Sequence, residues 1–205
     1  YGAANPALTA TLTGFVNGET LGTSGVTGTA AVTTTATLTS PATTYVITPA
    51  LGDLAAANYA FATFTDGVLT VGQKALTITA DAKTKVYGAA NPVLTATITG
   101  YVNNETSTVI SGAAAVTTAT TTTSNVGGYT ITAALGSLSA TNYSFGFADG
   151  TLTVSKAALT VAAEAKSRTY GDANPTLTAT ITGYVNSETS SVVSGTAAFT
   201  TTATT

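Results

Sequence analysis

The sequence predicts an all-β chain of tandem immunoglobulin-like β-sandwich modules, linked end to end as a rod, and three observations predict it. The hexad Tyr1-Gly2-Ala3-Ala4-Asn5-Pro6 returns as Tyr87-Gly88-Ala89-Ala90-Asn91-Pro92 and as Tyr170-Gly171-Asp172-Ala173-Asn174-Pro175, 86 and then 83 residues later. A fixed period means one structural unit copied in tandem. Each hexad leads into strict alternation of apolar and Thr positions, as in Leu94-Thr95-Ala96-Thr97-Ile98-Thr99, the pattern of a half-buried strand with a Thr face outward. Thr and Val, both good strand formers, are abundant, whereas Leu, Lys and Glu, the usual helix residues, are scarce.

Taken in order, the hexad reads as a turn with an exit. Gly88 permits positive φ, and Asn91-Pro92 favours an extended or turn conformation while removing one backbone donor. Matching the repeats places their boundaries at 1–73, 74–156 and 157–205. Only the middle repeat is expected to be complete: the first lacks its opening strand and the third its second half. Within the middle repeat, strands are expected near Ala75–Ala80, Leu94–Thr99, Ala113–Thr120, Gly128–Ala133, Tyr143–Phe147 and Thr151–Val154. Asp149-Gly150 between the last two is a strong hairpin signal. The segment Asp81–Lys85 reads as turn-like, and the first and last strands are expected to lie side by side and parallel. Tyr143, Phe145, Phe147, Tyr129, Ile131, Leu76, Ile78, Leu94 and Ile98 form the expected core.

Repeat one carries an extra residue between Asn58-Tyr59 and Asp66. A one-residue insertion reverses every later side chain, so a β-bulge near Ala62–Thr63 is expected to return Phe64 inward. A second length difference marks Glu19–Gly28 as a surface loop. The main alternative fold is a β-grasp-like module, in which Glu105–Ser111 forms one short helix on a four-stranded sheet.

Composition removes whole classes of chemistry. The 205 residues include no Cys, His, Met or Trp, so thiol, haem, structural zinc and His-based catalysis are excluded. Charged residues make up 7% of the chain at net charge −3, which leaves no basic patch for nucleic acid. No apolar run reaches the roughly 18 residues that a membrane span needs. No cofactor and no metal site are expected: a calcium cage wants several oxygen ligands and no Asp-x-Asp-x-Asp-Gly loop is present. Nor is there a Gly-x-Ser-x-Gly nucleophile element, and a non-enzyme is expected.

The hexad Tyr87–Pro92, Gly128–Thr132, the Asn142-Tyr143 pair and the close Gly150-Thr151-Leu152-Thr153-Val154, in this order and recurring, resemble the MBG domain of the YGX type, found in tandem in large bacterial surface and secreted proteins. The resemblance implies an extracellular, adhesin-like or haemagglutinin-like parent in which such repeats act as a stalk. It carries no catalytic residues to transfer.

One polar segment also recurs: Asn17-Gly18-Glu19-Thr20, Asn103-Asn104-Glu105-Thr106 and Asn186-Ser187-Glu188-Thr189. Glu19, Glu105 and Glu188, with Asn103 and Asn186, are the candidate contacts to a host glycan or protein. The plainer reading is a polar turn whose Asn and Glu bond local backbone. Lys83 and Lys85 raise a Lys–Asn isopeptide crosslink, which their turn-like setting and Arg168 at the equivalent place in repeat three disfavour. Beyond these, the expected partners are the neighbouring repeats of the same chain.

Overall fold

The computed structural model describes residues 1–204. The fold is all-β, consistent with β-sandwich modules. Its strands in chain order are β1 (Ala31–Thr34), β2 (Thr44–Ala50), β3 (Gly67–Thr70), β4 (Lys74–Ala80), β5 (Lys83–Val86), β6 (Ala96–Thr99), β7 (Ala115–Thr117), β8 (Gly127–Ala134), β9 (Tyr143–Ala148), β10 (Gly150–Ser155), β11 (Thr160–Ala163) and β12 (Ala179–Thr182). The helix that a β-grasp module requires over Glu105–Ser111 is a three-residue 3-10 turn, Ser107–Val109. Hydroxylated and β-branched residues fill that segment, and they support a helix poorly.

Two compact units form. One comprises Tyr1–Ile78, Ile98–Ala114 and Leu135–Phe147; the other comprises Thr79–Thr97, Ala115–Ala134 and Ala148–Thr205. The middle repeat therefore contributes strands to both. In the first unit, β1-β2-β3 is an antiparallel sheet with Val32 opposite Pro49 and Tyr45 opposite Leu69. In the second, the order β5-β10-β8-β7 places β10 between an antiparallel and a parallel neighbour. Strand β4 is central in the sheet β6-β4-β9, and β11 pairs with β12 alone.

Alternation decides burial as expected on β4: Leu76, Ile78 and Ala80 are at most 2% exposed while Thr77 and Thr79 face solvent. Ile131, Leu152 and Val154 are equally buried. Each such side chain removed from water contributes about 1.5–3 kcal/mol. Of the expected core, Tyr143 is buried, Tyr129, Phe145, Leu94 and Ile98 are half-buried, and Phe147 is exposed.

Several expectations fail for definite reasons. Asp149-Gly150 is not a hairpin turn, because β9 and β10 belong to different sheets. A two-residue type I′ turn needs positive φ at both residues, and neither Asp149 nor Gly150 has it. The dipeptide serves as a sheet crossing: Asp149 Oδ1 accepts the Ala133 N–H at 3.3 Å, and a Cβ on Gly150 would stand 2.3 Å from the Ala80 carbonyl oxygen. The supposed turn at Asp81–Lys85 contains strand β5, and it is β5, the second strand, that runs parallel to the closing β10. The sheet changes across Asp81–Ala82, from that of β4 to that of β5. In repeat one no strand forms over 59–66, so there is no ladder for a bulge to interrupt, and Phe64 is 43% exposed.

Candidate functional site

The recurrent Asn-x-Glu segment folds the same way three times. Asn103 and Asn104 have φ of 56° and 58°, Asn186 and Ser187 52° and 61°, Asn17 and Gly18 54° and 72°. Two successive left-handed residues define a type I′ turn, and Asn and Gly tolerate that region best. The turn closes through Glu N–H bonds to the carbonyls of Val16, Val102 and Val185, at 3.0, 3.0 and 2.9 Å. The plainer reading of a polar turn describes this backbone. It does not describe the side chain.

Each glutamate is aimed at tyrosine hydroxyls. In the first unit, Tyr143 donates to Glu105 Oε2, and Tyr1 donates to Glu105 Oε1 at 2.5 Å. The two rings meet edge to face with centroids 5.5 Å apart, and Tyr101 stands edge-on to Tyr143 at 6.0 Å. Within repeat one, Tyr59 donates to Glu19 Oε2 at 2.5 Å and meets Phe15 edge-on. In the second unit, Tyr87 donates to Glu188 Oε1 at 2.6 Å. Thus the Tyr of one repeat's hexad reaches the Glu of the next, while Tyr59 and Tyr143 reach the Glu of their own repeat.

The glycine beside each hexad tyrosine makes the approach feasible. Gly2 and Gly88 have φ of 71° and 85°, and a Cβ there would stand 2.3 Å from Val102 Cγ2 and 2.6 Å from Val185 Cβ. Further bonds join the same places: the Ala42 N–H donates to Asn142 Oδ1 at 3.0 Å, and Asn186 Nδ2 donates to the Thr122 carbonyl at 3.2 Å. At the third hexad Tyr170 is 99% exposed and no atom lies within 4 Å of a Cβ on Gly171.

Inside every repeat the hexad is pinned by its own asparagine. Asn5, Asn91 and Asn174 donate through Nδ2 to the carbonyls of Ala36, Thr120 and Ala203, at 2.6, 2.6 and 2.7 Å. A cation pins the other side. Lys85 is buried on β5, and its Nζ donates to the Ala89 and Thr121 carbonyls. Arg168 makes the equivalent pair to Asp172 and Thr204. Lys85 therefore has the burial that a turn would deny it, but its ammonium protons are directed at backbone carbonyls.

Electrostatics follow these contacts. The Glu105 carboxylate holds the Tyr1 phenol above its ordinary range, since the hydrogen bond favours the protonated form. Tyr143 is raised first by burial and then by Glu105, and Tyr59 chiefly by Glu19. Glu164, accepting hydrogen bonds from Thr178, Lys166 and Thr180, is lowered to about 2. The Glu105 oxygens each already hold a phenol donor, which makes the arrangement a lock between chain segments. Among the described residues no group of three or more His, Cys, Asp or Glu is placed to hold a metal ion, and no helix is long and apolar enough to cross a membrane.

Sequence reasoning selected the glutamates and asparagines but read the hexad only as a turn. Its tyrosine was the available signal, because Gly, Asn and Pro account for a turn and Tyr does not. No curated protein and no solved structure matches the chain. The family model described as MBG domain (YGX type) matches residues 1–70, 76–153 and 159–205. Three tandem matches spanning nearly the whole sequence, on a chain whose Tyr-Gly hexads structure each repeat, establish that this protein belongs to the MBG-domain family of the YGX type.

Proposed function

We propose that the chain is a non-catalytic structural array that spaces a distal binding region away from a bacterial cell surface. MBG repeats are typical of surface proteins. The observation that supports a spacer most directly is the use made of the recurrent glutamate: the side chain best suited to a ligand is committed, at Glu105, to tyrosines from two successive repeats. A stalk needs stiff joints, and one charge-assisted bond with close Gly-to-Val packing at each joint supplies stiffness. The residue inventory, without His or Cys, supports the absence of catalysis. An extracellular location and an adhesin-like or haemagglutinin-like parent belong to this same reading.

Small-angle scattering on the 205-residue chain, paired with a binding screen against glycans, matrix proteins and whole cells, tests it. A stiff, elongated particle that binds nothing is the expected result. A compact globule overturns the spacer, and saturable binding lost on Glu105→Ala would make each repeat an adhesive unit gaining avidity from tandem copies.

A further inference from the structure

Two tyrosine rings from different repeats bring their hydroxyl ends to one carboxylate. Tyr143 donates to Glu105 Oε2 and Tyr1 to Glu105 Oε1 at 2.5 Å, and the rings stand edge to face, with centroids 5.5 Å apart and an interplanar angle of 82°. Because both hydroxyls meet one carboxylate, the ring carbons ortho to them lie at the same end of the cluster. Those are the carbons on which a phenoxyl radical carries much of its unpaired electron. Each phenol also has a base within hydrogen-bond reach of its proton, the geometry that proton transfer requires. Loss of an electron makes a phenol strongly acidic, so oxidation delivers its proton to Glu105.

Elsewhere one or the other requirement is missing. Tyr101 stands edge-on to Tyr143 at 6.0 Å, but its hydroxyl is buried without a hydrogen-bond partner, so its proton has no acceptor. Tyr87 has Glu188, yet Tyr184, which lines the same cleft, has an unpartnered hydroxyl like that of Tyr101. Tyr59 has Glu19, but its ring neighbour is Phe15, which carries no hydroxyl. Tyr45 and Tyr129 donate to the backbone carbonyls of Pro41 and Asn125, which are too weakly basic to take a proton. Access differs too: Tyr1 is half-buried and open to an oxidant, whereas Tyr143 is 2% exposed and shielded from other molecules.

We propose that Tyr1 and Tyr143 form an oxidative crosslinking site, joined ring carbon to ring carbon when one-electron oxidants, such as a peroxidase generates from hydrogen peroxide, act on the chain. The first oxidant takes an electron from Tyr1, and its phenol proton passes to Glu105. The Tyr1 phenoxyl then takes an electron from Tyr143 and a proton from Glu105, while the proton of Tyr143 replaces it on the carboxylate. Glu105 releases that proton to water, and a second oxidant takes an electron from Tyr1 again. The two phenoxyls couple through their ortho carbons, and the hydrogen on each of those carbons moves to the ring's oxygen, restoring both hydroxyls. In sum, two ring C–H bonds give way to one C–C bond, two electrons go to the oxidants and two protons to water. The bond ties the hexad of repeat one covalently to the middle repeat, and the proposal stands independently of the spacer reading.

Photo-oxidation of the 205-residue chain with a ruthenium polypyridyl sensitiser and persulfate, at low protein concentration, tests the proposal through dityrosine fluorescence and mass spectrometry of a digest. A Tyr170→Phe background removes a phenol that is 99% exposed and would link separate chains. The expected product is an intramolecular link, lighter by two hydrogens, that maps to Tyr1 and Tyr143 and whose yield is unchanged on dilution. Tyr1→Phe and Tyr143→Phe should each abolish it, and Tyr101→Phe should leave it. Glu105→Gln keeps an acceptor oxygen but not the base, and should slow the linkage by about 10²-fold, the lower end of what a positioned base contributes. A chain that forms no such link, one whose links fade on dilution or join Tyr101 to Tyr143, or a Glu105→Gln variant that is folded by circular dichroism and links as fast as the parent overturns the proposal.

Discussion

The phenol–carboxylate pair is the smallest unit that carries the argument from residue to function. Tyr1, Tyr143 and Glu105 form a three-membered network in which the charge of Glu105 is shared between two donors. A hydrogen bond to a charged group is worth about 1.5–3 kcal/mol. A double-mutant cycle of Tyr1→Phe with Glu105→Gln, read by hydrogen exchange at the Val102 and Tyr143 amides, is expected to show positive coupling of about 1 kcal/mol, reduced from that range by partial exposure. Independent effects would dismiss the lock. The pH dependence has a defined sign. Tyr1, Tyr59 and Tyr143 have folded-state pKa values raised above the ordinary 10.0, so the folded state holds these protons more tightly than the unfolded one. Their contribution is fully present below pH 10 and is lost as pH rises through the folded values. Alkaline unfolding of the Tyr143→Phe variant should accordingly be less steep than that of the parent.

At the scale of elements, Asp149-Gly150 shows how one dipeptide can support two topologies. The local signal is that of a hairpin, but sheet membership is settled by which strands β10 meets, and it pairs with β8 and β5. The crossing then depends on close approach to Ala80 rather than on turn geometry. Replacing Gly150 by Ala is expected to destabilise the middle repeat by about 2–3 kcal/mol, the cost of overpacking against backbone that cannot yield. Gly67 holds the equivalent position in repeat one, where a Cβ would meet only Ile47 at 3.5 Å. Gly67→Ala should therefore shift thermal unfolding little. Equal effects at the two sites would show that the approach to Ala80 does not govern the crossing. The alternation that placed Leu76 and Ile78 inward was legible because period two follows from strand geometry itself. The membership of β5 was not, because Lys83-Thr84-Lys85-Val86 has polar residues on both faces until Lys85 finds the Ala89 and Thr121 carbonyls.

At the scale of the molecule, the hexads share one device, a Tyr-Gly pair packed at a valine of another repeat. Two are engaged, at Val102 and Val185, and the third presents Tyr170 to solvent. Gly88→Ala should loosen the segment it packs against by about 2 kcal/mol or more, combining left-handed backbone strain with a clash. Gly171→Ala has the strain alone, since its φ is 87° and its surroundings are open. Limited proteolysis of the two variants reads the difference, and equal sensitivity would show that packing against Val185 contributes nothing.

The repeat period, the all-β class, the inward face of β4, the absence of His and Cys, and the family likeness were all determined by the sequence alone, because each depends on composition or on local periodicity. Which sheet a strand joins, the parallel pairing of β5 with β10, and the meeting of Tyr1 with Glu105 across 104 positions were decided only by the tertiary structure. Such contacts join residues far apart in the chain, and nothing in the local pattern of either partner encodes the distance between them.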